Sequence, residues 1–148
     1  MLVLAAAAAT FAWWWNYNRG RQALDLYGPP AAALIGTAPT VEYVPSIGGD
    51  GIDISRAPGL LNARTSLLSD ASYEWTSAQT IQDSAYPQVR FSDGGRSVEV
   101  AFDFANQTIK TSSTRRIARL TKRTADGWQA YLARQQRAAT PAATPRPN

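Results

Sequence analysis

Between Val89 and Phe104, apolar and polar side chains alternate on both sides of Asp93-Gly94-Gly95, with Val89 and Phe91 before the glycines and Val98, Val100, Phe102 and Phe104 after them. A period of two lines up one face of a sheet, and a glycine pair suits a tight turn, so this stretch predicts a β-hairpin. Asn106 marks a second turn, and Thr108 to Thr111 around Ile109 a third strand, giving an antiparallel meander near residues 86–112. Farther upstream, Val41 and Tyr43, with Ile47, alternate with Glu42 and Val44 as a first strand that Pro45 restricts to an edge or cuts short. Tyr73 and Trp75 suggest another short strand, Gly48-Gly49-Asp50-Gly51 a turn, and Gln79 to Ser84 a polar connection.

Helical spacing appears in three places in the body. Pro29 and Pro30 suit a first helical turn, Ala31 to Ile35 continue it, and Gly36 with Pro39 end it. Leu60, Leu61, Arg64, Leu67 and Leu68 repeat at three and four residues, which predicts a helix over 58–68 with Arg64 at the margin of its apolar face. Trp128, Tyr131 and Leu132 predict a C-terminal amphipathic helix opened by Thr124 or Asp126 and running to about Gln136.

The strongest apolar run lies at the start, where Met1 to Trp15 carry no charged side chain and end in Trp13, Trp14 and Trp15. Fifteen to seventeen helical residues span about 22 to 26 Å, a little short of a hydrocarbon core of about 30 Å. The three tryptophans and Tyr17, followed by Arg19 and Arg21, fit an interfacial belt with charges just beyond it. A cleaved signal peptide is the competing reading, but Leu2 to Ala9 lacks a preceding basic region. A buried soluble helix is disfavoured because adjacent tryptophans point around every side of a helix. Ala5 to Ala9 would let another helix approach closely in lipid. Gln22 to Tyr27 extends the anchor until Gly28 and Pro29 stop it.

The expected fold class is thus α+β: one N-terminal transmembrane helix, then a small domain with an antiparallel sheet and two to three short helices. Four regions follow: an anchor with its extension at 1–27, an α+β domain at 28–112, a basic segment and amphipathic helix at 113–137, and a Pro/Thr/Ala tail at 138–148.

Charge adds an asymmetry to this plan. Residues 1–21 hold two arginines and no acid, 22–104 hold ten acids against four arginines, and 105–148 hold nine basic groups against Asp126 alone. Arg115, Arg116, Arg119, Lys122 and Arg123 place five cations within nine residues. Such a cluster is either a solvated linker or a contact for a polyanionic neighbour. Beside a membrane each basic residue gains about 1 kcal/mol from an anionic surface. Lipid or an acidic protein partner is therefore favoured over nucleic acid, whose recognition would call for aromatic side chains where Ile117 and Leu120 stand.

The 148 residues include no cysteine and no histidine. That removes disulfides, thiolate chemistry, most zinc and haem ligation and the commonest general base at neutral pH. Three carboxylate pairs remain: Asp50 with Asp53, Glu99 with Asp103, and Asp70 with Glu74. Glu99 and Asp103 alternate with the apolar strand residues and read as solvent-facing. Asp50-Gly51-Ile52-Asp53 lacks the spaced ligands of a calcium loop, and Ser46, Ser55, Ser66 and Ser69 have no histidine to activate them. Gly48-Gly49 and Gly51 have no following lysine for a phosphate loop. No catalytic, metal-binding or cofactor-binding residue is expected, beyond peripheral pigment or lipid contacts at Trp13, Trp14 and Trp15.

The run from Arg21 through Tyr27-Gly28-Pro29-Pro30 to Ile35, with Ala38-Pro39 and Asp53 to Arg64, resembles bacterial single-span membrane-anchored proteins of no known activity. The resemblance covers residues 13–105 and implies no cofactor or catalytic residue. With an anchor, a basic tail and no chemistry of its own, the chain is expected to be a non-catalytic linker or stabilising subunit of a large bacterial membrane complex. A photosynthetic reaction centre with its antenna, or another energy-transducing assembly, is the specific expectation. Because antenna polypeptides usually ligate pigment through histidine, the chain would stand beside pigments there. The positive-inside rule places the C-terminal domain on the cytoplasmic side of the inner membrane. A free tethered lipid-binding module and a periplasmic binding module released by signal cleavage are the alternatives.

Overall fold

The computed structural model of the chain describes residues 21–46, 49–75 and 87–140. The expected anchor over Met1 to Trp15, the interfacial residues through Arg19, the polar connection after Trp75 and most of the tail lie outside them. Among the described residues, no helix is long and apolar enough to cross a membrane.

Helix α1 (Arg21–Tyr27) turns Ala23, Leu26 and Tyr27 inward at three- and four-residue spacing and leaves Leu24 out. It stops where Gly28 adopts φ 79°. Helix α2 (Pro29–Thr37) starts on its prolines, whose missing N–H groups would have no helical partner there, and buries Ala31, Ala32, Leu34 and Ile35. Then follow β1 (Thr40–Val44), β2 (Ile52–Asp53), α3 (Leu60–Leu67), a 3₁₀ turn (Asp70–Ser72), β3 (Tyr73–Glu74), β4 (Gln88–Asp93), β5 (Arg96–Asp103), β6 (Thr108–Thr111), β7 (Ile117–Leu120) and α4 (Lys122–Ala139).

The strands form one seven-stranded antiparallel sheet in the order β2-β1-β4-β5-β6-β7-β3. Its centre is the expected hairpin, with Val89 opposite Val100 and Phe91 opposite Val98. Register carries the apolar positions across neighbouring strands, Val41 beside Phe91 and Phe102 beside Ile109, then Ala118. All are buried on one face and join a single core with the inward residues of α1 to α4. The helices therefore form one layer over the sheet, α2 against β4 and β5 and α4 against β2 and β7. The other face presents Glu42, Arg90, Glu99 and Arg119.

The α+β class and the meander thus hold, and the structure adjusts several details. Four helices are described, three at the expected places in the body and α1 where the helical extension Gln22 to Tyr27 was expected. Of the two outcomes expected of Pro45, the strand is cut short: β1 ends at Val44 and is internal, flanked by β2 and β4. Within the basic segment lies β7, whose Ala118 and Leu120 face the core while Arg119 faces out. α4 begins earlier than Thr124, since Thr121 is the N-cap and its hydroxyl accepts the Thr124 N–H. Asp103 is buried, not solvent-facing: the Asn106 amide N–H and side-chain N–H both donate to its carboxylate, closing the β5–β6 turn over it.

Candidate interaction surfaces

The described carboxylates are mostly engaged in holding the fold. Arg90 sits between Glu99 at 2.9 Å and Glu42 at 3.3 Å on the outer face, and the Glu99 hydrogen bond holds the guanidinium's pKa above its ordinary value. These groups are all about 40% exposed, so the pairs steady a cross-strand row and add little stability. Asp53 accepts from both the N–H and the hydroxyl of Ser55, bonds that keep its carboxyl below the usual range. Ser55 in turn accepts the Val41 N–H, so this serine belongs to the strand network. Asp50 is exposed. Glu74 pairs with Arg119, whereas Asp70 faces α1. Among the described residues, no group of three or more potential metal ligands comes together.

At the start of α1, the Asp70 carboxylate accepts the Ala23 N–H at 2.8 Å and the Gln22 N–H at 3.4 Å. Two orphan donors are thereby satisfied from across the fold, in a direction the helix dipole favours. The far end of α1 is held as firmly. The Thr114 hydroxyl donates to Leu26 O, the Ser113 hydroxyl to Tyr27 O, and Arg116 to Asp25 O. The Tyr73 hydroxyl donates to Leu67 O, so the proton between the two phenols at 2.8 Å comes from Tyr27. Burial pushes both phenols well above their ordinary range. Asp70→Ala is expected to cost about 1 kcal/mol, with Asp70→Asn retaining part of it, read from urea unfolding of the detergent-solubilised chain.

The basic cluster is divided among different surroundings. Arg115 sits exposed in the β6–β7 turn with φ 56°, and Arg116 caps α1. Arg119 Nε lies 3.2 Å from a Glu74 oxygen but off the hydrogen-bonding angle, and Lys122 pairs with Asp126 one helical turn on at 2.6 Å. Arg123 lines a groove between α3 and α4. Of the membrane-interface set, Arg21 is the exposed first residue of α1, and Trp13, Trp14, Trp15, Tyr17 and Arg19 lie outside the described residues.

That groove has a volume of about 410 Å³, with Pro58, Asn62 and Ser66 on one side and Arg123, Gly127 and Arg134 on the other. Trp128 and Tyr131 join the two helices beneath it. The indole N–H donates to the Ser66 hydroxyl at 2.9 Å, and the two rings meet edge-on at 5.8 Å. The Tyr131 hydroxyl is buried without a hydrogen-bond partner among the described residues, and burial raises its pKa, while Arg64 and Arg134 act the other way. Neither Arg123 nor Arg134 has a carboxylate partner among the described residues. In the sequence, charge alone marks Arg123. Nothing there singles out Arg134, Asn62 or Gly127, although positions 123, 127 and 134 share one helical face and that spacing is a usable signal.

No protein-family model, curated protein or solved structure gives a significant match to this chain.

Proposed function

We propose that this chain is a non-catalytic accessory subunit of a large bacterial membrane complex, tethered through residues 1–20 and carried on the cytoplasmic side of the inner membrane. The observation that supports this reading is the way α1 is built into the fold. A tether that only keeps a domain near a surface works with a flexible linker. Here the segment directly after the expected anchor is a helix clamped at one end by Asp70 and at the other by Ser113, Thr114 and Arg116. A helix seated in this way fixes the orientation of the body as well as its distance from the anchor, which suits a part that must meet neighbouring subunits in one pose.

The exposed Trp75 fits the same geometry, since its indole N–H donates to the backbone carbonyl of Asp70, the residue that holds the start of α1. An interfacial aromatic at that point would rest on headgroups or on a membrane neighbour. With most described carboxylates engaged in structural contacts, the body is suited to holding partners together. An energy-transducing assembly such as a photosynthetic reaction centre with its antenna is the specific complex proposed, the chain lying beside pigments, which Trp13, Trp14 and Trp15 would touch peripherally.

The test is purification of the tagged native protein in mild detergent, followed by sizing and mass spectrometry of what migrates with it. Co-migration with one defined large complex is expected. Migration alone, with Met1 to Trp15 intact, would overturn the reading and leave a free tethered module.

A further inference from the structure

We propose that the groove between α3 and α4 is a docking site for an acidic segment of a partner protein, laid extended along α4 with two carboxylates about four residues apart. This deepens the accessory-subunit reading by giving the partner's chemistry, and it rests on that reading only for which protein supplies the segment.

Charge and spacing support the choice. Arg123 and Arg134 flank the groove, and no carboxylate among the described residues lines it. Eleven helical residues advance about 16 Å and return to within about 20° of the same face, so the two guanidiniums stand in line along α4. One phosphate or carboxylate cannot bridge that distance. Side chains of an extended chain return to the same face every second residue, so carboxylates four residues apart, about 13 Å along the chain, both face α4, and side-chain reach closes the rest for charge-assisted, bidentate pairing with each arginine.

The second observation is Gly127, between the two arginines. It sits inside an eighteen-residue helix, its φ is not in the left-handed region, and a Cβ built there meets nothing within 4 Å. Neither backbone conformation nor packing within the fold calls for glycine, which disfavours a helix by about 1 kcal/mol relative to alanine. What its missing side chain does provide is room for another backbone to approach the helix closely beside Trp128. Asn62 on the opposite wall offers that backbone a polar side chain, while the Ser66 hydroxyl is held by Trp128 and Ala63 O. The span and the glycine together favour a peptide over a lipid headgroup.

The probe is a fluorescein-labelled decapeptide of glycine, alanine and leucine with glutamates at its third and seventh positions, compared with the same peptide carrying glutamines. Binding to the full chain in neutral detergent is read by anisotropy. The glutamate peptide is expected to bind at least about tenfold more tightly, and Arg123→Ala or Arg134→Ala to remove about tenfold each. Gly127→Leu should abolish binding while its melting temperature stays level or rises, which separates blockage from misfolding. Equal binding of the two peptides, or indifference to Gly127→Leu, would overturn the proposal. So would arginine-dependent binding to phosphatidylglycerol vesicles without peptide binding, which would assign the groove to headgroups. If the peptide binds but the native protein migrates alone, the groove stands and the membrane-complex reading falls; co-migration without peptide binding gives the reverse.

Discussion

Phe102→Ala is expected to remove about 3–5 kcal/mol of folding stability, a large share of what a small domain has. Phe102 is fully buried near the C-terminal end of β5, paired with Ile109 on β6. Its ring lies 4.9 Å from that of Trp128 and 5.4 Å from that of Phe104, so it is one of the points at which α4 meets the sheet. Alanine would open a cavity between two layers whose neighbours are themselves fixed, β5 by its two ladders and Trp128 by Ser66. The site can collapse only in part, which places the cost in the upper range for such substitutions. Phe102→Leu should lose less than about 1.5 kcal/mol. Urea unfolding of the detergent-solubilised chain checks the order, with Phe104→Ala, at a half-exposed position, falling between. A loss below about 1 kcal/mol for Phe102→Ala would mean that α4 is not seated on β5, since a buried phenylalanine normally contributes more.

Phe102 also shows why the centre of this fold is legible in the sequence. Its strand alternates without interruption from Val98, and the glycines before it fix the register of β4 on β5. β7 buries every second residue too, but its outward positions are Ile117 and Arg119 and arginines flank it, so charge and an outward isoleucine obscure the strand. The period-two rule holds there too, masked by the stronger charge signal. Asp103 is different: its period-two position does point to the outer face, and it becomes buried because the β5–β6 turn folds back and supplies Asn106 as a donor. No strand pattern contains that information.

The candidate groove is still less legible. It exists only where residues 62–66 lie beside residues 123–134, and the Trp128 to Ser66 hydrogen bond that joins them spans 62 residues of chain. Helical periodicity identifies Trp128 and Tyr131 as core, which they are, yet a groove is what remains open between two packed helices. Gly127 is visible as a helix-disfavouring residue, but whether its site is crowded or open depends on the neighbours. The basic cluster does not act as a unit for a related reason. Sequence proximity places five cations together, and the turn, the strand and the helix cap then direct them toward the end of α1, Glu74, Asp126 and the groove.

Arg64 joins these themes, because its spacing marks it as marginal to the core and the structure gives that margin a use. Its Nη2 donates to Ala38 O at 2.7 Å and its Nη1 to Gly36 O at 3.2 Å, while the guanidinium lies 5.8 Å from the Phe91 ring centroid. It thus supplies donors at the C-terminal end of α2, where carbonyls have no helical partner and a cation is favoured by the dipole. Arg64→Ala removes both charge-assisted bonds and the packed stem, and is expected to cost about 2–3 kcal/mol. Arg64→Lys restores charge but not the two-pronged geometry, so less than half of the loss should return. Arg64→Met, which keeps the stem over Phe91, should fall close to alanine if the bonds dominate and near wild type if packing does. Thermal unfolding in detergent distinguishes these orders. Full rescue by lysine would show that charge at the helix end suffices. Rescue by methionine would instead make Arg64 a packing residue with an incidental charge, and would remove the reason for its place between α2 and Tyr131.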